Sequence, residues 1–240
     1  MLLEVDGLSK HFGAIRAVDD MAFALEAGEV LGIAGPNGSG KSTLFNIITR
    51  IPFGASAGRV RFDGRPIQTL SDTAITRLGI VRTFQREAVF PSLSCVDNIL
   101  VAIEQTLGVR GAAAERLADE ASERVGFPRN FHNQPAGALP VFYQKQLMLT
   151  TAVAQQPRVL LLDEPASSLV EHEVDWVGDT VERLNADGLT IILIEHVLPL
   201  LMRVSTRLLV MEQGRKIADG DPQATIADPQ VVAAYLGGAA

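Results

Sequence analysis

The segment EVLGIAGPNGSGKSTLFNII, which begins at Glu29, constrains the fold more than any other part of this chain. The apolar run from Val30 to Ala34 predicts a buried strand, and GPNGSGKS fits the pattern G-x-x-x-x-G-K-S/T. A helix-compatible run follows. A glycine-rich turn that merely joins a strand to a helix is the alternative. The coincidence of strand, loop, Lys-Ser pair and helix favours a phosphate-binding loop, or P-loop.

The residues of this loop match the chemistry of phosphate binding. Its glycines let the backbone curl so that successive N–H groups point at the β-phosphate, and the helix N-terminus adds partial positive charge. Lys41 is expected to reach the β- and γ-phosphates, and Ser42 is expected to bind Mg²⁺. The predicted nucleotide contacts of this segment are Gly35, Asn37, Gly38, Ser39, Gly40, Lys41, Ser42 and Thr43.

Two adjacent carboxylates follow a second apolar run, in RVLLLDEP from Arg158 to Pro165. The run predicts a parallel strand that delivers both acids to the carboxyl edge of a sheet, where α/β folds bind ligands. Asp163 is expected to hold Mg²⁺ through water, and Glu164 to orient and deprotonate the attacking water. Read alone, the same letters also fit a buried strand that ends in a capped turn. The P-loop favours the catalytic interpretation.

Composition excludes several other classes of protein. With 240 residues, 47% hydrophobic and 20% charged, the chain is expected to be globular. A net charge of -7 gives no electrostatic case for binding nucleic acid. Because no targeting segment and no apolar run of about 18 residues is present, we expect an intracellular protein without a membrane span. The single cysteine, Cys95, excludes an internal disulfide and is expected in the core.

These motifs resemble the ATP-binding subunits of ABC transporters, and the resemblance runs nearly from end to end. The segment GIVRTFQREAVFPSLSCVDNILVA is similar to the Q-loop region of that family, and TIILIEHV to the strand that ends in its switch histidine. The resemblance implies an α/β fold of the P-loop NTPase class and ABC ATPase type. Such a fold has a parallel-sheet core, an antiparallel β subdomain and a helical subdomain. ATP and Mg²⁺ are the implied cofactors.

The resemblance also implies roles for single residues. Gln85 would help to position Mg²⁺ and water and would sense the membrane domain, and His196 would contact the γ-phosphate. Phe12 would stack on adenine with Val18 beside it, although a core phenylalanine remains an alternative. The implied catalytic set is Lys41, Gln85, Glu164 and His196. The implied Mg²⁺ set is Ser42, Gln85 and Asp163.

Further segments narrow the resemblance to one group of importers. RTFQ, FDGRPI, the pattern A-G-x-L from Ala136 to Leu139, IEH and the ending ADPQVVAAYLGG resemble the ATPases of branched-chain amino acid importers and of related urea importers. This implies membrane-spanning permease subunits as partners, a periplasmic or extracellular binding protein as an indirect partner, and a place on the cytoplasmic face of the cell membrane. Because the ATPase does not touch the cargo, a urea or other amide importer stays open.

The chain is predicted to form a single ABC ATPase domain, residues 1–240. Strand-like alternation predicts the antiparallel β subdomain in residues 1–28 and 56–68. The predicted nucleotide-binding core comprises residues 29–50, 79–85 and 157–211. The Ala-rich stretch between them predicts the helical subdomain, residues 86–156, and a C-terminal extension is expected over residues 212–240.

The stretch ALPVFYQKQ departs from the family pattern. In the family, a signature close to L-S-G-G-Q begins a helix, and its serine hydroxyl and glycine N–H groups grip the γ-phosphate held by the neighbouring subunit. Counting back from Asp163 puts other residues at the last four positions, namely Pro140, Val141, Phe142 and Tyr143. Proline brings no N–H, and bulky side chains prevent a close approach of the backbone. Pro140 still suits the first turn of a helix.

A second departure concerns the loop that follows DEP. The family expects Asp or Asn where this chain has Val170, so a polar contact across the dimer is expected to be lost. Ser168 and Glu171 are expected to form a capping box that preserves the following helix. Both departures affect segments with which, in the family, a chain contacts its partner subunit across the dimer. We therefore expect pairing with a second ATPase subunit whose signature is intact, which gives one competent site.

A P-loop of this family is not by itself specific to transport. P-loop chains of this family also serve DNA repair, chromosome maintenance and translation, but those carry coiled-coil insertions or tandem cassettes that are not seen here. A regulatory subunit that binds ATP without hydrolysing it is the nearer alternative. Glu164 and His196 argue against it, because a pure binder has no need of both.

Overall fold

The computed structural model describes residues 1–84 and 88–237 of the chain. In chain order its strands are β1 (Leu3–Phe12), β2 (Ile15–Leu25), β3 (Val30–Ala34), β4 (Ala57–Phe62), β5 (Arg65–Pro66), β6 (Ile80–Arg82), β7 (Val159–Asp163), β8 (Thr190–Ile194), β9 (Arg207–Glu212) and β10 (Arg215–Gly220). Its helices are α1 (Lys41–Thr49), α2 (Asp72–Arg77), α3 (Cys95–Leu107), α4 (Ala112–Val125), α5 (Val141–Ala154), α6 (Glu171–Ala186), α7 (Leu198–Val204), α8 (Pro222–Ile226) and α9 (Pro229–Gly237). Two short 3₁₀ turns, Arg129–Phe131 and Ala136–Ala138, precede α5.

The larger sheet has the strand order β10-β9-β3-β8-β7-β6. All of its strand pairs are parallel except β9 with β10. Every residue of β3, β7 and β8 is buried, as expected for strands that are covered on both faces. This burial explains why their sequences read as continuous apolar runs. The carboxyl ends of β3 and β7 reach the same edge of the sheet, where the P-loop and the two adjacent carboxylates follow.

The smaller sheet is antiparallel, with the order β2-β1-β4-β5. Asp63 and Gly64 form the turn between β4 and β5 with φ of 53° and 73°, so both occupy the left-handed region that such turns require. The strands of this smaller sheet lie within residues 3–66.

Two apolar cores cover the two faces of the larger sheet. Along β7, Val159 and Leu161 belong to the core shared with β1, β2, β4 and α1, whereas Leu160 and Leu162 belong to the core shared with the helices of the opposite face. This alternation follows the twofold side-chain period of a strand. The sheet is thereby fixed between the antiparallel sheet and the helical layer.

The helices α3, α4 and α5 pack on one another in the region predicted to be helical. On α4 the buried residues Ala114, Ala118, Ala121 and Val125 recur at three- and four-residue spacings, which gives the helix one apolar face. Ser94 begins α3 by accepting the N–H of Asp97. Cys95 is fully buried, as expected. None of the helices within residues 1–84 and 88–237 is long and apolar enough to cross a membrane.

One predicted boundary is wrong. Residues 212–240 were expected to lie outside the core, but β10 pairs along its length with β9 and forms the edge of the larger sheet. The boundary at residue 212 therefore cuts a β-hairpin whose turn contains Gln213 and Gly214. The sequence signal for this hairpin was weak because β10 is polar and only partly buried. An edge strand of this kind lacks the apolar run of a central strand.

Candidate nucleotide site

The P-loop links the end of β3 to the start of α1 and lies against the antiparallel sheet. Gly40 immediately precedes the helix with φ of +101°. A Cβ at this position would lie 2.2 Å from the carbonyl oxygen of Ala17, so only glycine fits. The loop is held from the other side by the N–H of Gly214, which donates to the carbonyl of Ser39 at 2.9 Å. Contacts from two distant segments therefore fix the course of the loop.

Lys41 is the first residue of α1, and only 5% of its surface is exposed. Its Nζ donates to the carbonyl oxygens of Gly35 at 2.7 Å and Pro36 at 3.0 Å. Burial lowers the pKa of Lys41, and the carboxylates of Glu164 and Asp163 oppose this shift. The ammonium group is thus directed toward the carboxyl edge of the sheet, beside the acids that follow β7.

Asp163 forms a buried ion pair with Arg82 of β6. Arg82 Nη2 lies 2.6 Å from Asp163 Oδ2, and Arg82 Nη1 lies 2.6 Å from Oδ1 of Asn46 on α1. The guanidinium lies against the rings of Phe45 and Phe84, at 5.4 and 5.1 Å from their centroids. Burial raises the pKa of Asp163, whereas Arg82 lowers it. The ion pair therefore ties the carboxylate of β7 to the helix that begins at the P-loop.

Glu164 lies next along the chain and is hydrogen-bonded to His196. Its Oε1 lies 2.8 Å from Nε2 of His196. Glu164 adopts φ of 50°, a left-handed conformation that turns the chain away from the strand. This geometry brings together a carboxylate suited to general base catalysis and an imidazole within hydrogen-bonding distance, although 32 residues separate them in sequence.

A second buried carboxylate supports this pair. Glu195 is 2% exposed, and its Oε1 accepts the N–H of Ala166 at 2.6 Å. Its other oxygen accepts the N–H of His196 at 3.0 Å. Burial raises the pKa of Glu195, and these backbone N–H groups oppose the shift. Glu195 therefore joins the backbone after Glu164 to the backbone of His196, which fixes the relative position of the two catalytic candidates.

A cavity of about 400 Å³ opens above these residues. The antiparallel sheet and the hairpin turn after β9 supply one wall. The remaining lining residues include both catalytic candidates. The full lining is Ile15, Arg16, Ala17, Asn37, Gly38, Ser39, Gly40, Lys41, Ser42, Thr43, Glu164, His196 and Gln213. Of the predicted P-loop contacts, only Gly35, the first residue after β3, does not line this cavity.

The two residues expected at the adenine base do not line this cavity in the part of the chain that the structure describes. Phe12 ends β1 with 45% of its surface exposed, and its ring packs edge-on against Phe53 at a centroid distance of 5.2 Å. Val18 is fully buried in the core, so its side chain is not available to a ligand in this structure. Ile15 and Arg16 of β2 line the cavity instead of Phe12 and Val18. The alternation of side chains along β2 directs Val18 into the core. The sequence pattern alone did not reveal that this face of the strand is buried.

Two buried side-chain oxygen atoms at this site have no hydrogen-bond partner among the described residues. They are Ser39 Oγ in the P-loop and Oδ1 of Asp163, the last residue of β7. Buried polar groups are rarely left unpaired, so both atoms fit ligands that the site is built to receive. A hydroxyl beside a curled backbone suits a phosphate oxygen, and a free carboxylate oxygen suits a hydrated cation. The residues present therefore fit a nucleotide phosphate chain with its metal ion.

Gln85, predicted for metal and water positioning, lies outside the described residues. Its neighbour Phe84 is described and packs against Arg82. Strand β6 ends at Arg82, beside β7, so the segment that leads to Gln85 starts from the same edge as Asp163. The role of Gln85 stays a prediction.

The segment predicted to be a degenerate signature lies at the start of α5. Pro140 is the residue before the first helical position, Val141, rather than part of the first turn as expected. Val141 is 47% exposed. The two aromatic residues that follow pack inside the chain: Phe142 contacts Trp176 of α6 edge-on at 5.3 Å, and Tyr143 lies 4.5 Å from the ring of Phe131. Phe142 therefore joins the helical region to α6, whereas Tyr143 packs within the helical region.

The predicted capping box at the start of α6 is wrong. The residue that precedes the helix is Val170, and its N–H donates to Oε2 of Glu173 at 3.1 Å. Ser168 instead adopts a left-handed conformation with φ of 63°. The helix thus begins two residues later than the sequence suggested, and the glutamate three positions after Val170 caps it. Val170 itself is 55% exposed.

Sequence reasoning missed three residues that contact this site. Arg82 and Glu195 were noted only inside RTFQ and IEH, and Tyr235 only inside the ending of the chain. A signal existed for the first two, because each is a charged residue at the end of an apolar strand. No local pattern connected Tyr235 to the P-loop. In the structure, the Tyr235 hydroxyl accepts the backbone N–H of Gly35.

Comparison with protein families agrees with this geometry. The family model described as ABC transporter matches residues 18–167. A second family model, described as branched-chain amino acid ATP-binding cassette transporter, matches residues 215–240. The first match contains the P-loop and the two acids after β7, and the second contains β10, α8 and α9.

Similar proteins and structures extend over the whole chain. BraF of Pseudomonas aeruginosa, a high-affinity branched-chain amino acid transport ATP-binding protein, is 36% identical over 98% of each chain. LivG of Escherichia coli, which carries the same description, is 34% identical over 98% of each chain. The ADP conformation of MJ1267, an ATP-binding cassette of an ABC transporter, superimposes with a TM-score of 0.88 at 28% identity and 98% coverage of both chains. These findings confirm the predicted fold and the predicted resemblance.

Proposed function

The chain belongs to the ABC transporter family as an ATP-binding and ATP-hydrolysing subunit, and from this we propose that it powers a branched-chain amino acid importer. Full-length similarity to BraF and LivG supports this cargo, as does the family match at residues 215–240. The proposed partners are membrane-spanning permease subunits, reached at the cytoplasmic face of the cell membrane, with a periplasmic or extracellular binding protein acting through them.

We infer that the chain's own nucleotide half-site carries out hydrolysis. Mg²⁺, when bound, supplies charge neutralisation at the β- and γ-phosphates. The residues that would hold it are Ser42, Gln85 and Asp163. Lys41 would bind the phosphate oxygens, and Asn37, Gly38, Ser39, Gly40 and Thr43 would surround the phosphate chain. Phe12 and Val18 remain the proposed adenine contacts, which would require the antiparallel sheet to be rearranged around the bound base.

The Glu164 and His196 pair would act on the attacking water. Glu164 is positioned to accept a proton from water, and His196 is held at 2.8 Å from its carboxylate. Because Glu195 holds the backbone of His196, the imidazole can hold its orientation toward the γ-phosphate position. This arrangement favours a hydrolysing subunit over a regulatory subunit that only binds ATP, since a binder has no need of an aligned base.

The residues that this chain would contribute to a neighbouring subunit's nucleotide site differ in chemistry from its own half-site. In the position of the signature it offers Pro140, which has no N–H, and the exposed aliphatic side chain of Val141. Phe142 and Tyr143 are occupied by ring contacts within the chain. Val170 replaces a polar residue in the loop that would reach across the dimer. Loss of donors aimed at developing charge costs about 10² to 10³ in rate for each donor.

We propose, therefore, that this chain pairs with a second ATPase subunit whose signature is intact. The single observation that carries this proposal is the contrast between the aligned Glu164 and His196 pair and the packed aromatic residues of the signature. The partner's signature would complete the P-loop of this chain. The partner's own P-loop would face Pro140 and Val141, so hydrolysis there would be slow and bound ATP would hold the dimer closed.

ATP turnover tests the pairing. We expect the purified chain alone to be nearly inactive, and activity to appear on mixing with a consensus-signature ATPase subunit of the same transporter. Glu164→Gln in this chain should abolish that activity while nucleotide binding is retained. Brisk turnover by the chain alone, or equal hydrolysis of both ATP molecules in the mixed dimer, would contradict the proposal.

A matched variant tests the signature itself. Restoring the family pattern with Pro140→Ser, Val141→Gly, Phe142→Gly and Tyr143→Gln should give the chain turnover of its own, because two copies would then complete each other. The expected gain is about 10² or more, from the donors regained. Circular dichroism and thermal unfolding control for loss of the ring contacts. A correctly folded variant that remains inactive alone would count against the signature as the cause.

Transport in proteoliposomes tests the cargo and the membrane partners. The complete transporter, with its permease subunits and binding protein, should take up leucine, isoleucine or valine when ATP is supplied on the side where this subunit is bound. Urea and a small amide serve as competing cargoes. Uptake of urea in place of the amino acids would reject the proposed cargo and leave the ATPase function intact.

A further inference from the structure

The C-terminal helix α9 lies behind the P-loop and contacts it through one tyrosine. The backbone N–H of Gly35 donates to the hydroxyl oxygen of Tyr235 at 2.9 Å, a contact between residues 200 positions apart. Gly35 is buried, and a buried backbone N–H needs an acceptor. Tyr235 is itself half-buried, and Val231 one turn earlier on α9 is fully buried in the core. The helix is therefore anchored where it meets the loop.

Gly35 connects this helix to the catalytic lysine. While its N–H is held by Tyr235, its carbonyl oxygen accepts the Nζ of Lys41 at 2.7 Å. A Cβ at Gly35 would lie 2.1 Å from the carbonyl oxygen of Met211 on β9, so only glycine fits at this close approach to the strand. The conformation of this one residue therefore sets the position of a Lys41 acceptor.

The surroundings of α9 agree with a supporting role. Ala234 shares the lining of a second cavity, of about 230 Å³, with Pro36, Asn37, Gly38 and Ser39 of the P-loop. Burial raises the pKa of the Tyr235 hydroxyl, which keeps it neutral at physiological pH. Ala234 and Tyr235 both lie within the family match at residues 215–240.

We propose that α9 supports the P-loop from behind and that Tyr235 is a positioning residue for the nucleotide site. Its hydroxyl holds the Gly35 peptide, and the Gly35 carbonyl holds Lys41 in the loop. The inference goes beyond the proposed transport function, because it concerns how the chain arranges its own P-loop, whichever subunit completes the site and whatever cargo is moved.

Tyr235→Phe tests this role in the full chain. The variant keeps the ring and removes only the acceptor of the Gly35 N–H. We expect hydrogen exchange of the Gly35 amide, followed by NMR, to become about tenfold faster or more, since a buried donor has lost its partner. Affinity for a fluorescent ADP analogue should fall by about threefold to tenfold. Val232→Ala, at an exposed position of the same helix, is the matched control and should change neither value.

The same measurements separate positioning from packing. If Tyr235→Phe lowers the thermal unfolding temperature but leaves Gly35 exchange and ADP affinity unchanged, Tyr235 only packs and the proposal is wrong. The unmodified chain provides a second test that does not depend on the variant. Without nucleotide, its Gly35 amide should exchange slowly, and an amide that exchanges at the rate of a free loop would also overturn the proposal.

Discussion

Arg82 and Asp163 form an ion pair in which Nη2 lies 2.6 Å from Oδ2, with side chains only 5% and 3% exposed. The pair joins β6 to β7 at the edge of the sheet that carries the nucleotide site. It engages one carboxylate oxygen and leaves Oδ1 without a partner among the described residues. Arg82 thereby orients the acid while one oxygen remains for a ligand.

Breaking this ion pair should destabilise the fold. Arg82→Met leaves the Asp163 carboxylate buried without its partner, and we expect the free energy of unfolding to fall by about 3–5 kcal/mol. Urea denaturation of the purified chain measures the change. The double variant Arg82→Met with Asp163→Asn removes the uncompensated charge and should recover part of the loss. A single variant as stable as the unmodified chain would show that the pair does not stabilise the fold.

Glu195 should matter to hydrolysis more than to nucleotide binding. Glu195→Gln replaces one acceptor oxygen with an NH₂ group, which cannot accept the N–H of Ala166 or His196. We expect kcat in the two-subunit mixture to fall about tenfold or more, with ADP affinity nearly unchanged. Glu115→Gln, at an exposed glutamate of α4, is the control. An equal loss of binding and kcat would indicate a general structural effect instead.

Glu164 and His196 should act as one unit. Glu164→Gln and His196→Ala are each expected to lower kcat by about 10² or more, because each removes part of the water-activating pair. Their effects should be far from additive, so that the double variant is little worse than the more damaging single one. Turnover of the two-subunit mixture measures this. Additive losses would mean that the 2.8 Å contact is not used during hydrolysis.

The ring contact between Phe142 and Trp176 should be measurable as a coupling energy. Edge-on aromatic pairs contribute about 0.5–1.5 kcal/mol beyond the area they bury. A double-mutant cycle with Phe142→Leu and Trp176→Leu, followed by urea denaturation, should return a value in this range. Tyr143→Leu with Trp176→Leu is the control, since Tyr143 contacts Phe131 and Phe142 instead. A coupling near zero would place Phe142 away from α6 in solution.

The pairing of Asp19 should make stability depend on acid pH. Hydrogen bonds from Arg215, then Arg16, lower the pKa of Asp19 against the opposing effect of burial. The stabilisation is present above the unfolded-state pKa of about 4 and is lost as pH falls through the lower folded-state pKa. Asp19→Asn should therefore be less stable than the unmodified chain at pH 7. The difference should narrow as denaturation is repeated at pH values below about 4, and a constant difference would contradict this.

Local sequence was sufficient for much of the site. Lys41 and Ser42 follow a strand and a glycine-rich loop, and Asp163 and Glu164 follow another buried strand, so each position could be predicted from about ten adjacent residues. Backbone geometry explains why these residues lie together, because the carboxyl ends of parallel strands meet at one edge of the sheet. The polar edge strand β10 and the start of α6 were predicted wrongly, since neither carries a strong local pattern.

The P-loop and the two adjacent carboxylates followed from the order of residues along the chain, because strand, loop and helix signals act over short distances. The identity of the fold followed from the family resemblance that these motifs carry. Tertiary structure decided which distant residues contact the P-loop and the segment with the two carboxylates. Arg82 reaches Asp163 across 81 residues, Glu195 reaches Ala166 across 29, and Tyr235 reaches Gly35 across 200. Such contacts depend on how strands and helices pack, and packing also decides that Phe142 turns toward Trp176 and that Val18 is buried. No periodicity encodes a partner that lies so far along the chain, so only the folded protein shows it.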